Sequence, residues 1–188
     1  MSNERKRRQT RSLPQRFETR EAEGGALYIE GYFAVFDSPY ELWEGAVEIV
    51  KPGAFAGCLS QDVRALINHD TTLVLGRTKS GTLSLKEDSR GLWGSIQINR
   101  DDVDAMNLYA RVQCSFGFEI KRETFVDLGG GACRWEIEEV DPLYEVTVCT
   151  FPAYEATGVS ARKQQLEEIQ HRQAQAWRET MKQRLGGT

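Results

Sequence analysis

Residues 27–36 read LYIEGYFAVF, a run of apolar and aromatic residues interrupted only by Glu30 and Gly31. Aromatic and β-branched residues in a run of this length are typical of a half-buried β-strand. Similar runs follow, with Gly-rich or Asp-rich breaks between most of them, at residues 46–50, 63–67, 82–85, 92–98, 114–121, 134–140 and 144–151. The pattern predicts seven or eight short strands, arranged as a β-barrel or a compact sandwich.

Two stretches depart from the strand pattern and predict short helices packed on the barrel. Residues 53–60 follow Lys51-Pro52, and residues 101–113 carry apolar residues at a spacing that fits a helix. Glycines at 129–131 instead indicate the tip of a hairpin between two strands. The fold class that we predict is therefore mainly β with flanking helices.

The segment before the first strand is strongly basic. Residues 1–20 contain seven Lys and Arg against two Glu, which is a net charge of +5; since the whole chain carries −4, the other 168 residues carry −9. Such an arm can contact nucleic acid or an acidic protein surface, but a solvated, disordered tail is the commoner case. We predict a disordered basic arm over residues 1–24 and one domain over residues 25–160.

Residues 161–188 predict a polar helical extension at the end of the chain. Strong helix formers dominate this stretch, and its apolar residues form only a thin stripe. A helix of this kind can pack on its own domain, mediate homodimerisation, or tether the chain to a scaffold. These three interpretations stay open.

The composition argues against several classes of protein. No apolar run approaches the roughly 20 residues that a membrane helix needs, and no apolar segment follows the basic N-terminus as in a secretory signal. The four cysteines form no CxxC pair, and the chain has only two histidines. We therefore predict no membrane partner, no metal and no cofactor, and we interpret the cysteines as reduced, small, buried hydrophobes.

His69 is a candidate general base. The other histidine, His171, lies in the polar C-terminal stretch, so His69 is the only imidazole of the predicted domain. It follows the apolar strand 63–67 within Asn68-His69-Asp70, where a strand gives way to a loop. A lone histidine is more often structural, yet imidazole is the side chain best suited to accept a proton near neutral pH.

Ser115 is a candidate nucleophile. Within residues 112–120, strand alternation places Cys114, Phe116 and Phe118 on one face and Ser115 and Gly117 on the other. The aromatic face belongs in the core, and the glycine leaves room for a substrate near the hydroxyl. The same alternation argues against Cys114 as the nucleophile, although a serine beside a glycine is by itself a weak signal.

A serine and histidine pair needs a third group to orient the imidazole. The candidates are five acidic residues, Asp70, Glu138, Glu139, Asp141 and Glu145. Asp70 adjoins His69, and neighbouring side chains usually diverge. Glu145 interrupts the apolar run 143–148, where a buried carboxylate is costly unless it is paired; it can equally face solvent or pair with an arginine.

Several segments are together more specific than any one of them. In chain order they are GYFAVF (31–36), KPGAF (51–55), NHD (68–70), LGRT (75–78), GTL (81–83), DSRGL (88–92), SFGF (115–118), EVTV (145–148) and FPA (151–153). In this order they resemble the caudovirus prohead proteases, over roughly residues 25–162. One departure is Cys114, where that family often has an apolar residue such as methionine.

The resemblance implies both a fold and a set of site residues. The family is similar to the herpesvirus assemblin proteases, which implies a seven-stranded β-barrel ringed by helices. It implies that His69 is the general base and Ser115 the nucleophile of a serine endopeptidase. The herpesvirus enzymes use a second histidine as third member, which this domain lacks; we expect Glu145 in that place, with Glu138, Glu139 and Asp141 as the alternatives.

The resemblance also implies a role in capsid maturation. We expect a protease that acts in the host cytoplasm, inside the viral procapsid, on scaffold, on the scaffold-like N-terminal region of the major capsid protein, and on itself. The basic arm and the C-terminal helix then become disposable docking or autoprocessing segments. The alternative is a catalytically inactive assembly or scaffold protein with the same barrel; a nucleic-acid-binding barrel is disfavoured by the −9 charge outside the arm.

Overall fold

The computed structural model describes residues 9–13, 17–102, 105, 113–149 and 156–185 of the chain. The chain divides into two units, residues 1–154 and 155–188. The described part of the first unit consists mainly of β-strands, and that of the second is a single α-helix. The prediction of a mainly β fold with a C-terminal helix is therefore confirmed.

Eleven strands occur in the described part of the first unit. They are β1 (Gln9–Leu13), β2 (Glu18–Glu21), β3 (Leu27–Val35), β4 (Tyr40–Trp43), β5 (Ala46–Val50), β6 (Arg64–Ile67), β7 (Asp70–Arg77), β8 (Leu83–Glu87), β9 (Gly91–Ile98), β10 (Gln113–Gly129) and β11 (Ala132–Cys149). A single 3₁₀ turn, Thr78–Ser80, follows β7.

These strands form two sheets. The larger has the order β1-β10-β11-β5-β4, with β6 paired to β11 and β7 paired to β6. The smaller has the order β2-β3-β9-β8. The long strand β11 is the centre of the larger sheet, since it pairs antiparallel with β10 and parallel with both β5 and β6.

The long hairpin of β10 and β11 turns where the glycines predicted it. Gly129 pairs with Ala132, and the glycines at 129, 130 and 131 all have positive φ, between 62° and 87°. Only glycine adopts that backbone conformation at little cost.

The two sheets share one core, because a single buried cluster contains Ile29 and Ile96 of the smaller sheet together with residues of β10 and β11.

The structure differs from the predicted barrel and arm. Hydrogen bonds between the described strands give two sheets and close no barrel. Residues 9–13 and 18–21 lie in strands, whereas we expected a disordered arm as far as residue 24. Both are edge strands that are held by pairing with a neighbour, and the local sequence does not show that pairing.

The predicted helix over residues 53–60 is wrong. This stretch consists of successive turns, in which Ala54 N, Ala56 N and Cys58 N each donate to a carbonyl three residues earlier. Gly53 has a φ of 89°, which no right-handed helix contains, so the chain turns repeatedly instead. The predicted helix over residues 101–113 falls mostly outside the described residues; Gln113 itself begins β10.

The second unit contains the helix α1 (Ala156–Leu185), whose residues with a described side chain are mostly exposed. In the described part of the chain, no helix is both long and apolar enough to cross a membrane.

Gly91 provides a stability test of the smaller sheet. A Cβ at this position would lie 2.0 Å from the carbonyl oxygen of Ala34, which is part of the paired backbone of β3. We expect Gly91→Ala to lower the free energy of unfolding by about 1–3 kcal/mol, because the backbone must shift to make room. The control is Gly57→Ala, since a Cβ there meets no atom within 4 Å. Urea unfolding with equal midpoints for the two variants would contradict this expectation.

Candidate active site

A tight hairpin presents His69. Ile67 of β6 pairs with Asp70 of β7, so Asn68 and His69 form a two-residue connection, with φ of 49° and 62°. Two-residue hairpins of type I′ require positive φ at both positions, and asparagine tolerates this better than most residues. Asn68 N donates to the carbonyl oxygen of Val148, 3.0 Å away. The turn that carries His69 is thereby fixed against β11.

Glu145 on β11 is the partner of this imidazole. His69 Nδ1 lies 2.7 Å from Glu145 Oε1, and Thr147 Oγ1 donates to Glu145 Oε2 at 2.6 Å. The carboxylate is buried, with 1% of the residue exposed, so it requires such partners. A carboxylate acceptor keeps the hydrogen on Nδ1 and leaves the lone pair on Nε2. His69 Nε2 is buried and has no hydrogen-bond partner within the described part of the chain.

Ser115 lies on the same face of the larger sheet as Glu145. In the register of β10 and β11, Ser115 pairs with Thr147 and Gly117 pairs with Glu145, and paired residues point to the same side. The serine is fully buried. Its hydroxyl donates to the carbonyl oxygen of Arg11 on β1, 2.9 Å away, and makes no hydrogen bond to His69.

Cys114 points to the opposite face, as strand alternation predicts. It is fully buried in the hydrophobic cluster with Phe116 and Phe118, and its thiol donates to the carbonyl oxygen of Tyr32 at 3.2 Å. None of the four cysteines, which all lie among the described residues, forms a disulfide. Burial raises the pKa of Cys58 to about 12 and that of Cys149 to about 11, so both thiols stay protonated at neutral pH.

The other acidic candidates for the third position have partners elsewhere. Glu138 pairs with Arg122, Glu139 with Lys121 at 2.7 Å, and Asp141 accepts from Gln61 Nε2 at 2.8 Å. Asp70 accepts from the backbone and hydroxyl of Thr72, and these bonds lower the pKa of its carboxyl. Of the five candidates, the structure brings only Glu145 into contact with His69.

Among the described residues, no three His, Cys, Asp or Glu side chains cluster as a metal site would require.

A family model described as caudovirus prohead serine protease matches residues 15–172. The chain belongs to the caudovirus prohead serine protease family. A protein of Enterobacteria phage HK97 named prohead protease is 31% identical over 145 residues, which are 72% of this chain and 60% of the HK97 protein. The match thus spans less than two thirds of that relative. No solved structure matches the chain.

The part of the chain that matches the prohead serine protease family contains His69, Ser115 and Glu145. The match begins at residue 15, so β1 (Gln9–Leu13) precedes it. The strand that contacts the serine hydroxyl is therefore outside the matched part of the chain.

The sequence did not identify two buried charged residues that lie near this site. Arg11 on β1 and Glu48 on β5 form a buried ion pair, with 5% and 2% of the residues exposed. The sequence carried a signal for Glu48, because this carboxylate interrupts the apolar run Ala46–Val50 in the way that Glu145 interrupts residues 143–148. Its partner could not be identified, since the pairing of β1 with β10 is not visible in the local sequence.

Proposed function

We propose that this family member is a serine endopeptidase in which Ser115 is the nucleophile, His69 its general base and Glu145 the residue that orients the imidazole. The observation that carries the proposal is the bond from His69 Nδ1 to the buried Glu145, with Nε2 left without a partner. A buried polar atom is normally hydrogen-bonded, so an unpaired ring nitrogen indicates a position reserved for a reacting group.

The proposed reaction follows from these roles. Ser115 Oγ attacks the carbonyl carbon of the substrate while its proton passes to His69 Nε2. Glu145 stabilises the resulting imidazolium, and Thr147 in turn holds Glu145. His69 then gives the proton to the leaving amine, and water hydrolyses the acyl-enzyme. The serine hydroxyl must rotate from the Arg11 carbonyl to His69, which fits the looser hydrogen bonds of a resting site.

The substrates that we propose are the major capsid protein and the scaffold, cleaved inside the procapsid in the host cytoplasm. Support comes from the family match and from the name of the HK97 relative. A homodimer through α1 stays a prediction, which light scattering of the purified chain would check. Kinship with the assemblin barrel likewise stays a prediction, supported by the shared core of the two sheets.

Co-expression with the cognate coat protein tests the proposed activity. We expect mass spectrometry to find a shortened coat protein beside the wild-type chain, and a fluorophosphonate probe to label the chain at Ser115. A full-length coat protein, together with an unlabelled chain, would refute the proposal and favour a catalytically silent assembly protein.

Glu145→Gln tests the orienting role. The amide keeps the size of the side chain but cannot stabilise an imidazolium, so we expect kcat on a coat-protein peptide to fall roughly 10³-fold to 10⁴-fold. Glu139→Gln is the matched control on the same strand. Because Glu139 pairs with Lys121 and not with His69, this substitution should change kcat less than about threefold. Equal kcat values for the two variants would show that Glu145 does not orient His69.

A further inference from the structure

The strand β1 occupies the position at the serine that an extended peptide substrate would take. It pairs antiparallel with β10, in a register that sets Arg11 opposite Phe116 and Ser12 opposite Ser115. Adding a strand to a sheet edge is a common way to hold an extended peptide, because the main chain supplies the hydrogen bonds. β1 is the chain's own N-terminal segment held in this manner.

The serine hydroxyl contacts one particular peptide group of β1. Ser115 Oγ donates to the carbonyl oxygen of Arg11, 2.9 Å away, so the nucleophile adjoins the peptide bond between Arg11 and Ser12. Attack on the Arg11 carbonyl carbon would require the hydroxyl to turn from this oxygen toward His69, so the contact shows which peptide group adjoins the nucleophile in the resting site.

The Arg11 side chain occupies a buried pocket that recognises a cation. Its guanidinium bonds both oxygens of Glu48, through Nε to Oε1 and through Nη2 to Oε2 at 2.9 Å. The rings of Tyr40 and Phe118 lie 5.8 and 5.7 Å from its central carbon. A bidentate pair flanked by aromatic rings discriminates strongly between side chains. A buried ion pair contributes little net stability compared with apolar residues, whereas loss of one partner leaves the other charge buried and unpaired, which is costly.

We propose that Arg11–Ser12 is a self-cleavage site of this chain, and that Glu48 selects an arginine or lysine immediately before the bond that is cut. The proposal rests on the peptidase activity proposed above and names its specificity. The cut would fall within β1, removing Gln9–Arg11 and leaving Ser12 and Leu13 on the domain; the removed residues precede the part of the chain that matches the family model.

Self-cleavage would proceed in two steps, acylation of Ser115 by Arg11 and then hydrolysis of the ester. Ser115 Oγ forms an ester with the carbonyl carbon of Arg11 while the hydroxyl proton passes to His69 Nε2. The bond to the nitrogen of Ser12 breaks as that nitrogen takes the proton from His69. Water then attacks the ester, its proton returns through His69 to Ser115 Oγ, and Arg11 leaves as a new carboxylate terminus.

The intact mass of the purified full-length chain tests the cleavage site. We expect the wild type to begin at Ser12, having lost residues 1–11, and Ser115→Ala to retain them. Arg11→Lys should still be cut, whereas Arg11→Gln should not. A wild-type chain that cleaves coat protein but keeps residues 1–11 would overturn this inference alone. If neither coat protein nor arm is cut, the proposed peptidase activity fails as well.

A peptide of residues 5–17 tests the pocket without altering the fold of the chain. We expect the wild type to cut this peptide after Arg11, and glutamine in place of Arg11 to lower kcat/KM for cutting at this bond about 100-fold or more, because Glu48 would be left without its cationic partner. Glu48→Gln should lose this preference for arginine, whereas the exposed control Glu41→Gln should keep it. Cutting after residues other than arginine or lysine, or an unchanged preference in Glu48→Gln, would overturn the assignment of the pocket.

Discussion

Ser115→Ala should abolish peptide cleavage, with kcat/KM on a coat-protein peptide falling roughly 10⁴-fold or more. Without the hydroxyl no acyl-enzyme forms, and only the binding and electrostatic contributions of the site remain. The fold should persist, because the substitution removes one oxygen whose hydrogen bond to the Arg11 carbonyl contributes about 1 kcal/mol. Thermal unfolding of the variant checks this.

The matched control is Cys114→Ala, one residue earlier on β10. Its thiol lies in the core and bonds the carbonyl of Tyr32, so the change should lower stability but leave the kcat of the folded enzyme within about threefold of the wild type. The opposite pattern, an active Ser115→Ala and an inactive Cys114→Ala, would make the thiol the nucleophile.

His69→Asn should have an effect of similar size. Asparagine tolerates the φ of 62° that the turn imposes, so the hairpin should form, but an amide cannot accept the serine proton. We expect kcat/KM to fall roughly 10⁴-fold or more, as with loss of the nucleophile, because the two residues act as one unit. The double variant with Ser115→Ala should therefore be no slower than either single variant.

His171→Asn on α1 serves as the control, because it removes the other imidazole of the chain. It should leave cleavage unchanged. A His69→Asn variant that keeps more than about one tenth of the wild-type rate would show that another group acts as the base.

The sequence predicted those parts of the site that depend on local periodicity. Alternation along β10 correctly separated Ser115 from Cys114, and the apolar run ending at Ile67 correctly placed His69 where β6 ends. The cost of burying a carboxylate drew attention to Glu145, and the structure pairs that residue with His69. Each inference needed only neighbouring residues.

Features that depend on distant pairing were not predictable in this way. The strand β2 reads ETRE, with every residue exposed, and is held by β3 rather than by its own propensity. The approach of Arg11 to Glu48 joins residues 37 positions apart through the register of β1 on β10. The predicted helix over residues 53–60 is replaced by successive turns that begin at Gly53, whose φ of 89° is not helical.

The place of β1 at the end of the strand order has a consequence for the cleaved molecule. Once residues 1–11 leave, the backbone of β10 from Phe116 to Phe118, which follows Ser115, loses its partners on β1. A bare flank of this kind invites other extended chains, including further copies of the same molecule. Self-cleavage would thus expose an unpaired sheet edge that favours strand addition, and confinement with an excess of coat protein would favour substrate over further copies of the chain.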